Sequence, residues 1–220
     1  MTQDLSHIGA VRDAPSGVEP PAALSRVAAV TLAFWLLKVI VTTVGDLSGD
    51  ALSLSLKLGY GRALIIVVAA FAALLAAKWR TRRLVPWMYW GLVLSSSAVG
   101  AEISDSLDRA LQWGNAAGTG LLLGALVVAL AVWFVRCGTV RFAPIVTRAD
   151  EGFYWLAAVA ANSVGSAFGD WVGDGLGWGL WGGIGVNLGV IALLLILRRK
   201  TRISRGVLYW IGFVVTRVPF

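Results

Sequence analysis

Long, mostly apolar stretches alternate along the chain with short polar segments, and the polar segments alternate in sign. The apolar stretches run over residues 27–46, 62–78, 84–104, 116–136, 152–171, 179–197 and 206–220, the last still apolar at Phe220. About 20 mostly apolar residues cover the hydrocarbon core of a bilayer as a helix. The pattern therefore predicts an all-α polytopic membrane protein of about seven transmembrane helices. Basic groups follow the even stretches: Lys78, Arg80, Arg82 and Arg83, then Arg136, Arg141 and Arg148, then Arg198, Arg199, Lys200, Arg202 and Arg205. Acids follow the odd ones: Asp46 and Asp50, then Glu102, Asp105 and Asp108, then Asp170 and Asp174. Positively charged loops stay cytoplasmic. The N-terminus, with Arg12 and Arg26, is thus expected inside, in a multi-pass protein of a bacterial inner membrane.

Three of the apolar stretches are copies of one another. FWLLKVIVTTVGDLSGD (34–50), YWGLVLSSSAVGAEISD (89–105) and YWLAAVAANSVGSAFGD (154–170) align without a gap. Each opens on an aromatic-Trp pair, at Trp35, Trp90 and Trp155. Gly45, Gly100 and Gly165 follow ten residues later, and Asp50, Asp105 and Asp170 five after that. A fourth copy starts at Tyr209-Trp210, and the Trp-to-Trp intervals are 55, 65 and 55 residues. Such self-similarity marks internal duplication. Each unit holds two apolar stretches, so all copies enter the membrane in the same direction, as parallel repeats. The expected organisation is a flexible cytoplasmic tail over 1–25 and one transmembrane domain over 26–220. Its repeats are about 26–80, 81–145 and 146–202, with a partial one over 203–220 that stops where its Gly should fall. The tail is polar, with Pro and Gly and no apolar core, so it is not a secretory signal. His7 within it reads as a solvated tail histidine.

The pattern VTLAFWLLKVIVTTVGDLSGD, its weaker copies and the late YW…TR-x-P element resemble the bacterial membrane-anchored proteins defined by a four-fold repeat of unknown function, the DUF347 repeat family. The resemblance covers roughly residues 26–220. It implies a polytopic inner-membrane protein with about eight helices and carries no established activity. The departure is at the end, where the last Gly-Asp segment is missing.

Helical spacing turns the repeats into candidate chemistry. Residues three or four apart share a helix face, so Trp35, Lys38, Thr42, Asp46 and Gly49 form one stripe. Trp90, Ser97, Gly100, Ser104 and Asp105 form a second, and Asn162, Gly165, Ser166, Gly169 and Asp170 a third. Seven residues after the fourth Trp comes Arg217, in the slot that Thr42, Ser97 and Asn162 fill in the other copies. An ionisable residue inside a bilayer normally faces a partner or a cavity. The candidate pathway is therefore Lys38, Thr42, Asp46, Asp50, Ser97, Asp105, Asn162, Asp170 and Arg217. Two readings stay open. Either small residues pack helices closely and the charges pair internally, or the stripes converge on a polar cavity with Asp at its outer mouth.

Composition narrows the function. Of 220 residues 58% are apolar and only 14% charged, where a soluble domain carries about a quarter. One Cys (Cys137) and one His exclude an intrachain disulfide and a zinc or haem site of Cys/His type. Ser95-Ser96-Ser97 has no His to act as a base, and the glycines between Gly173 and Gly189 follow no strand, so neither a catalytic triad nor a phosphate loop is expected. The net charge of +7 is accounted for by topology and needs no nucleic acid. The expected partners are the lipid bilayer, a small ion or polar solute, and further copies of the chain. No cofactor is implied and the protein is expected not to be an enzyme. The metal, if any, is open, hard oxygen ligands favouring Mg, Ca or Mn. Transport of a small ion or polar solute is the leading function, with a non-transporting accessory, sensor or scaffold protein as the alternative.

Overall fold

In a computed structural model, which describes residues 25–81, 84–110, 115–138, 140, 143–200 and 204–217, the chain forms seven helices and, among these residues, no strand. They are α1 (Leu32–Asp50), α2 (Tyr60–Arg80), α3 (Pro86–Asp105), α4 (Asn115–Cys137), α5 (Arg148–Asp170), α6 (Gly179–Lys200) and α7 (Arg205–Val215). One helix falls in each of the seven apolar stretches. Residues 1–24, with His7 and Arg12, lie outside the described residues, as do Arg82, Arg83, Arg141, Arg202 and Phe220.

The helix ends follow local chemistry. Thr31, Thr147 and Ser204 cap α1, α5 and α7, their hydroxyls accepting from the backbone N–H three residues on, at 3.2, 3.0 and 3.3 Å. Pro86 opens α3, where its missing N–H costs nothing. The cap at Thr31 moves the first helix relative to the expected 27–46: it starts at Leu32 and continues through Asp46 to Asp50. Asp50, Asp105 and Asp170 are each the last α-helical residue of their helix. A five-residue π-helical turn follows in all three: Ala51–Ser55, Ser106–Ala110 and Trp171–Gly175. The acids expected in loops thus belong largely to helix ends.

The helices sort into two sets. α1, α3, α5 and α7 form an inner ring in which α1 packs on α3, α3 on α5 and α5 on α7. α2, α4 and α6 are peripheral, each packed on the inner helix that follows it in sequence: α2 on α3, α4 on α5 and α6 on α7. Ring closure between α7 and α1 is made by side chains, described below. Three elements are long and apolar enough to cross a membrane: α1 with its π turn (Leu32–Ser55), α2 (Tyr60–Arg80) and Ala116–Cys137 of α4. The expected seven spans are thus seven helices, of which three meet that criterion among the described residues. α3 and α5 fall short because they stand between neighbours, and their buried faces carry Ser95, Ser96, Ser97, Glu102, Asn162 and Ser163.

Two cations read from sequence as membrane-flanking charges are internal instead. Arg26 is 4% exposed and Lys78 is fully buried. Both bind the buried Glu151 at the start of α5, Arg26 Nε at 2.5 Å from Oε2 and Lys78 Nζ at 3.1 Å from Oε1. Arg26 also donates to the Thr81 carbonyl at 2.9 Å. A buried carboxylate needs compensating donors, and these two side chains supply them, tying the N-terminal segment and the end of α2 to α5.

Candidate functional site

The repeat brings equivalent residues together in levels along the inner ring. The first level is aromatic. Phe34, Tyr89, Tyr154 and Tyr209, the residues before each repeat Trp, converge in the ring. The Tyr154 hydroxyl lies 2.8 Å from that of Tyr89 and 3.0 Å from that of Tyr209. Each Trp packs on the aromatic residue of the preceding repeat, in cyclic order. Trp90 packs on Phe34 (ring centroids 5.8 Å apart), Trp155 on Tyr89 (5.4 Å), Trp210 on Tyr154 (5.8 Å) and Trp35 on Tyr209 (5.7 Å). The fourth contact closes the circle and relates α7 to α1 as the other neighbours are related.

The second level is the slot of Thr42, Ser97, Asn162 and Arg217, eight residues beyond the first and about 12 Å along the helix axes. Glycines hold the helices close here. A Cβ on Gly45 would strike Leu94 O and stand 2.8 Å from Ser97 Cβ. One on Gly100 would stand 2.8 Å from Asn162 Cβ, and one on Gly165 2.7 Å from Val214 O and 3.1 Å from Arg217 Cβ. Each glycine thus faces the slot residue of the next repeat. The slot side chains are buried, at 1% exposure for Thr42, zero for Ser97 and Asn162, and 2% for Arg217. Arg217, two residues beyond the end of α7, spans the ring and reaches all three other inner helices. Nη1 donates to Asn162 O on α5 at 2.6 Å, and Nη2 lies 3.3 Å from Ser97 O on α3 and pairs with Asp46 Oδ1 on α1. The Ser97 hydroxyl lies 2.8 Å from Thr42 O and 2.6 Å from Asp46 Oδ1, and its one hydrogen can serve either. Asn162 Nδ2 donates to Ser96 Oγ at 3.0 Å, while its Oδ1 has no partner. From α6, Asn187 donates to the Arg217 carbonyl at 3.2 Å.

Lys38 sits between these levels and is fully buried. Its ammonium donates to Phe213 O at 2.7 Å and Thr216 Oγ1 at 2.9 Å, and lies 4.2 Å from the Phe213 ring centre. Both expected membrane cations therefore point inward. Only Arg217 meets a carboxylate; Lys38 is held by a carbonyl, a hydroxyl and a π face. The third level holds Asp50, Asp105 and Asp170, which end their helices at one end of the ring. They stand about 12 Å beyond the slot and do not join the Arg217 cluster. Of the nine pathway residues, Thr42, Asp46, Ser97, Asn162 and Arg217 thus form one connected group, with Lys38 one turn away.

Sequence reasoning missed three groups. The Tyr89–Tyr154–Tyr209 hydroxyl chain was visible as the residue before each repeat Trp, but only the aromatic character was used. Glu151 was hidden because nothing local marks its partners, 125 residues and 73 residues away in the chain. Glu102 reads from sequence as one of the acids after the third apolar stretch, although it is a fully buried residue of α3. Among the described residues no group of three or more His, Cys, Asp or Glu is arranged to hold a metal ion.

A family model described as a Repeat of Unknown Function (DUF347) matches residues 33–84, 88–139 and 153–204. Each matched segment contains one inner helix and the peripheral helix after it, so the matched unit is the helix pair seen in the fold. No curated protein and no solved structure matches the chain.

Proposed function

The chain belongs to the DUF347 repeat family, and from that premise we propose that it is a multi-pass bacterial inner-membrane protein, N-terminus cytoplasmic, that moves a small ion or polar solute along its inner ring. The observation that carries the proposal is the Arg217 guanidinium, which reaches a group on each of the other three inner helices. A buried ion pair adds little net stability compared with well-packed apolar residues. A charge pair across the axis of an apolar bundle is therefore an expensive way to build a scaffold, and a natural way to build a plug that polar solute can replace. Releasing Arg217 from Asp46 would leave carbonyls of Ser97 and Asn162, the hydroxyl of Ser97 and the open Asn162 Oδ1 facing the axis. In this reading the aromatic ring closes the basic end and the repeat aspartates face the other mouth. The reading is of a protein without catalytic activity.

The test is flux into liposomes holding the full chain, across a panel of metal cations, halides, ammonium and small polar solutes. Wild type should move at least one of them, and Arg217→Met that elutes as a folded, monodisperse protein should not. The second reading, a non-transporting accessory or scaffold protein, is favoured by the closed cyclic packing of the four Trp residues. Absence of flux for the whole panel with folded wild-type protein would decide for it.

A further inference from the structure

Five residues beyond Ser97 on α3, about 7.5 Å toward the aspartate end, stands a carboxylate outside the Arg217 cluster. Glu102 is fully buried, and neither of its oxygens has a hydrogen-bond partner. Among the described side chains none acts on it with a positive charge. Gly49 on α1 comes so close that a Cβ there would stand 3.2 Å from Glu102 Oε1. The charged groups that act on Glu102 are themselves carboxylates, Asp105 from its own helix and Asp50 from α1. The Ser53 hydroxyl is within hydrogen-bond reach of Glu102 and lies 3.2 Å from Gly49 O, and its one hydrogen can serve either.

An ionised carboxylate in such a place has lost its water and gained no counter-charge and at most one shared hydroxyl donor, which costs several kcal/mol. Binding a cation or a proton removes the cost. The local hydrogen bonding selects between them. A protonated carboxyl keeps this contact, because its O–H donates to the Ser53 hydroxyl while the hydrogen of Ser53 goes to Gly49 O. A metal ion would need several further oxygen ligands, and no group of three or more His, Cys, Asp or Glu among the described residues is arranged to hold one.

We propose that Glu102 is a reversible proton-binding site, loaded from the aspartate end of the ring. A hydronium ion gives its proton to one carboxylate oxygen, water is released, and the side chain becomes neutral with its new O–H directed to Ser53. The apolar surround of the site rests on the membrane-embedded reading above; solute movement does not enter it.

Acid-minus-alkaline infrared difference spectra of the full chain in lipid nanodiscs test the site. Wild type should show a protonated-carboxyl stretch that shifts in D2O and is lost in Glu102→Gln. Glu102→Asp should keep the band at a shifted position, and this variant decides the matter if Glu102→Gln does not elute as a monodisperse protein. A spectrum unchanged by either substitution overturns the proposal. So does abolition of the wild-type band by sodium or magnesium at constant pH, which would make a metal cation the ligand. Liposome flux is scored separately. A Glu102 band without flux removes transport and leaves the proton site, and flux without the band does the reverse.

Discussion

At the scale of single residues, the inner ring depends on charges that compensate one another across long stretches of chain. Arg217 and Asp46 are paired, with Arg217 2% and the Asp46 side chain 18% exposed. Removing one partner of a buried pair leaves an uncompensated charge, whereas removing both leaves an ordinary apolar contact. Asp46→Asn is therefore expected to destabilise the protein by about 3–5 kcal/mol, and Asp46→Leu with Arg217→Met to recover most of that loss. Thermal unfolding in detergent, followed by Trp fluorescence, checks both. An Asp46→Asn protein that melts with wild type would mean that the pair is not formed. The Arg26–Glu151–Lys78 cluster follows the same logic, with one carboxylate answering two cations.

Between elements, the recurring device is a glycine on one inner helix set against the slot residue of the next. The device is steric. A methyl at Gly100 would lie 2.8 Å from both Asn162 Cβ and Ser163 N, so the α5 backbone would have to withdraw. Gly120 on α4 has open space around it. Gly100→Ala should destabilise by about 1–3 kcal/mol, as overpacked cores do. Gly120→Ala should be neutral or stabilise by up to about 1 kcal/mol through helix propensity. Compared by midpoint of thermal unfolding, Gly100→Ala should fall below wild type and Gly120→Ala should not. Equal shifts would show that close approach of α3 and α5 is not required. The π turns after Asp50, Asp105 and Asp170 repeat as faithfully as the glycines. They keep each aspartate within a helical end instead of releasing it to a loop.

For the molecule as a whole, the cyclic order of Trp contacts makes a pseudo-four-fold ring from a chain whose repeat match covers three units. The helix pair of each unit returns the chain to the same end, so all inner helices run in one direction. Basic groups then collect at one end and aspartates at the other, and the asymmetry predicts orientation. Reporter fusions after Arg83, Arg148 and Lys200 should read cytoplasmic, and fusions at Lys57, Asp108 and Asp174 should read outside. A cytoplasmic reading at Lys57, which lies between α1 and α2, would invert the orientation.

What the sequence determined by itself was whatever depends on spacing. The length of the apolar runs marked the seven helices, because hydropathy along a run is a local property. The gap-free alignment of three segments identified the parallel repeat, the shared depth of Thr42, Ser97, Asn162 and Arg217, and the inward direction of Lys38 and Arg217, since a stripe of polar residues can face only one way. Partners were not legible, because a helix face does not name the helix that meets it. Nothing near Asp46 distinguishes Arg217 from Lys38 as its counter-charge. The ring order assigns Arg217 to it and gives Lys38 to the carbonyl and ring of Phe213. Charge near an apolar stretch reads alike whether it is solvated or buried, so Arg26, Lys78 and Glu102 were misassigned to loops and flanks. Tertiary packing decided those cases: the first two meet a buried carboxylate, while Glu102 is shut in against Gly49 and near other acids, with no ion-pair partner among the described residues.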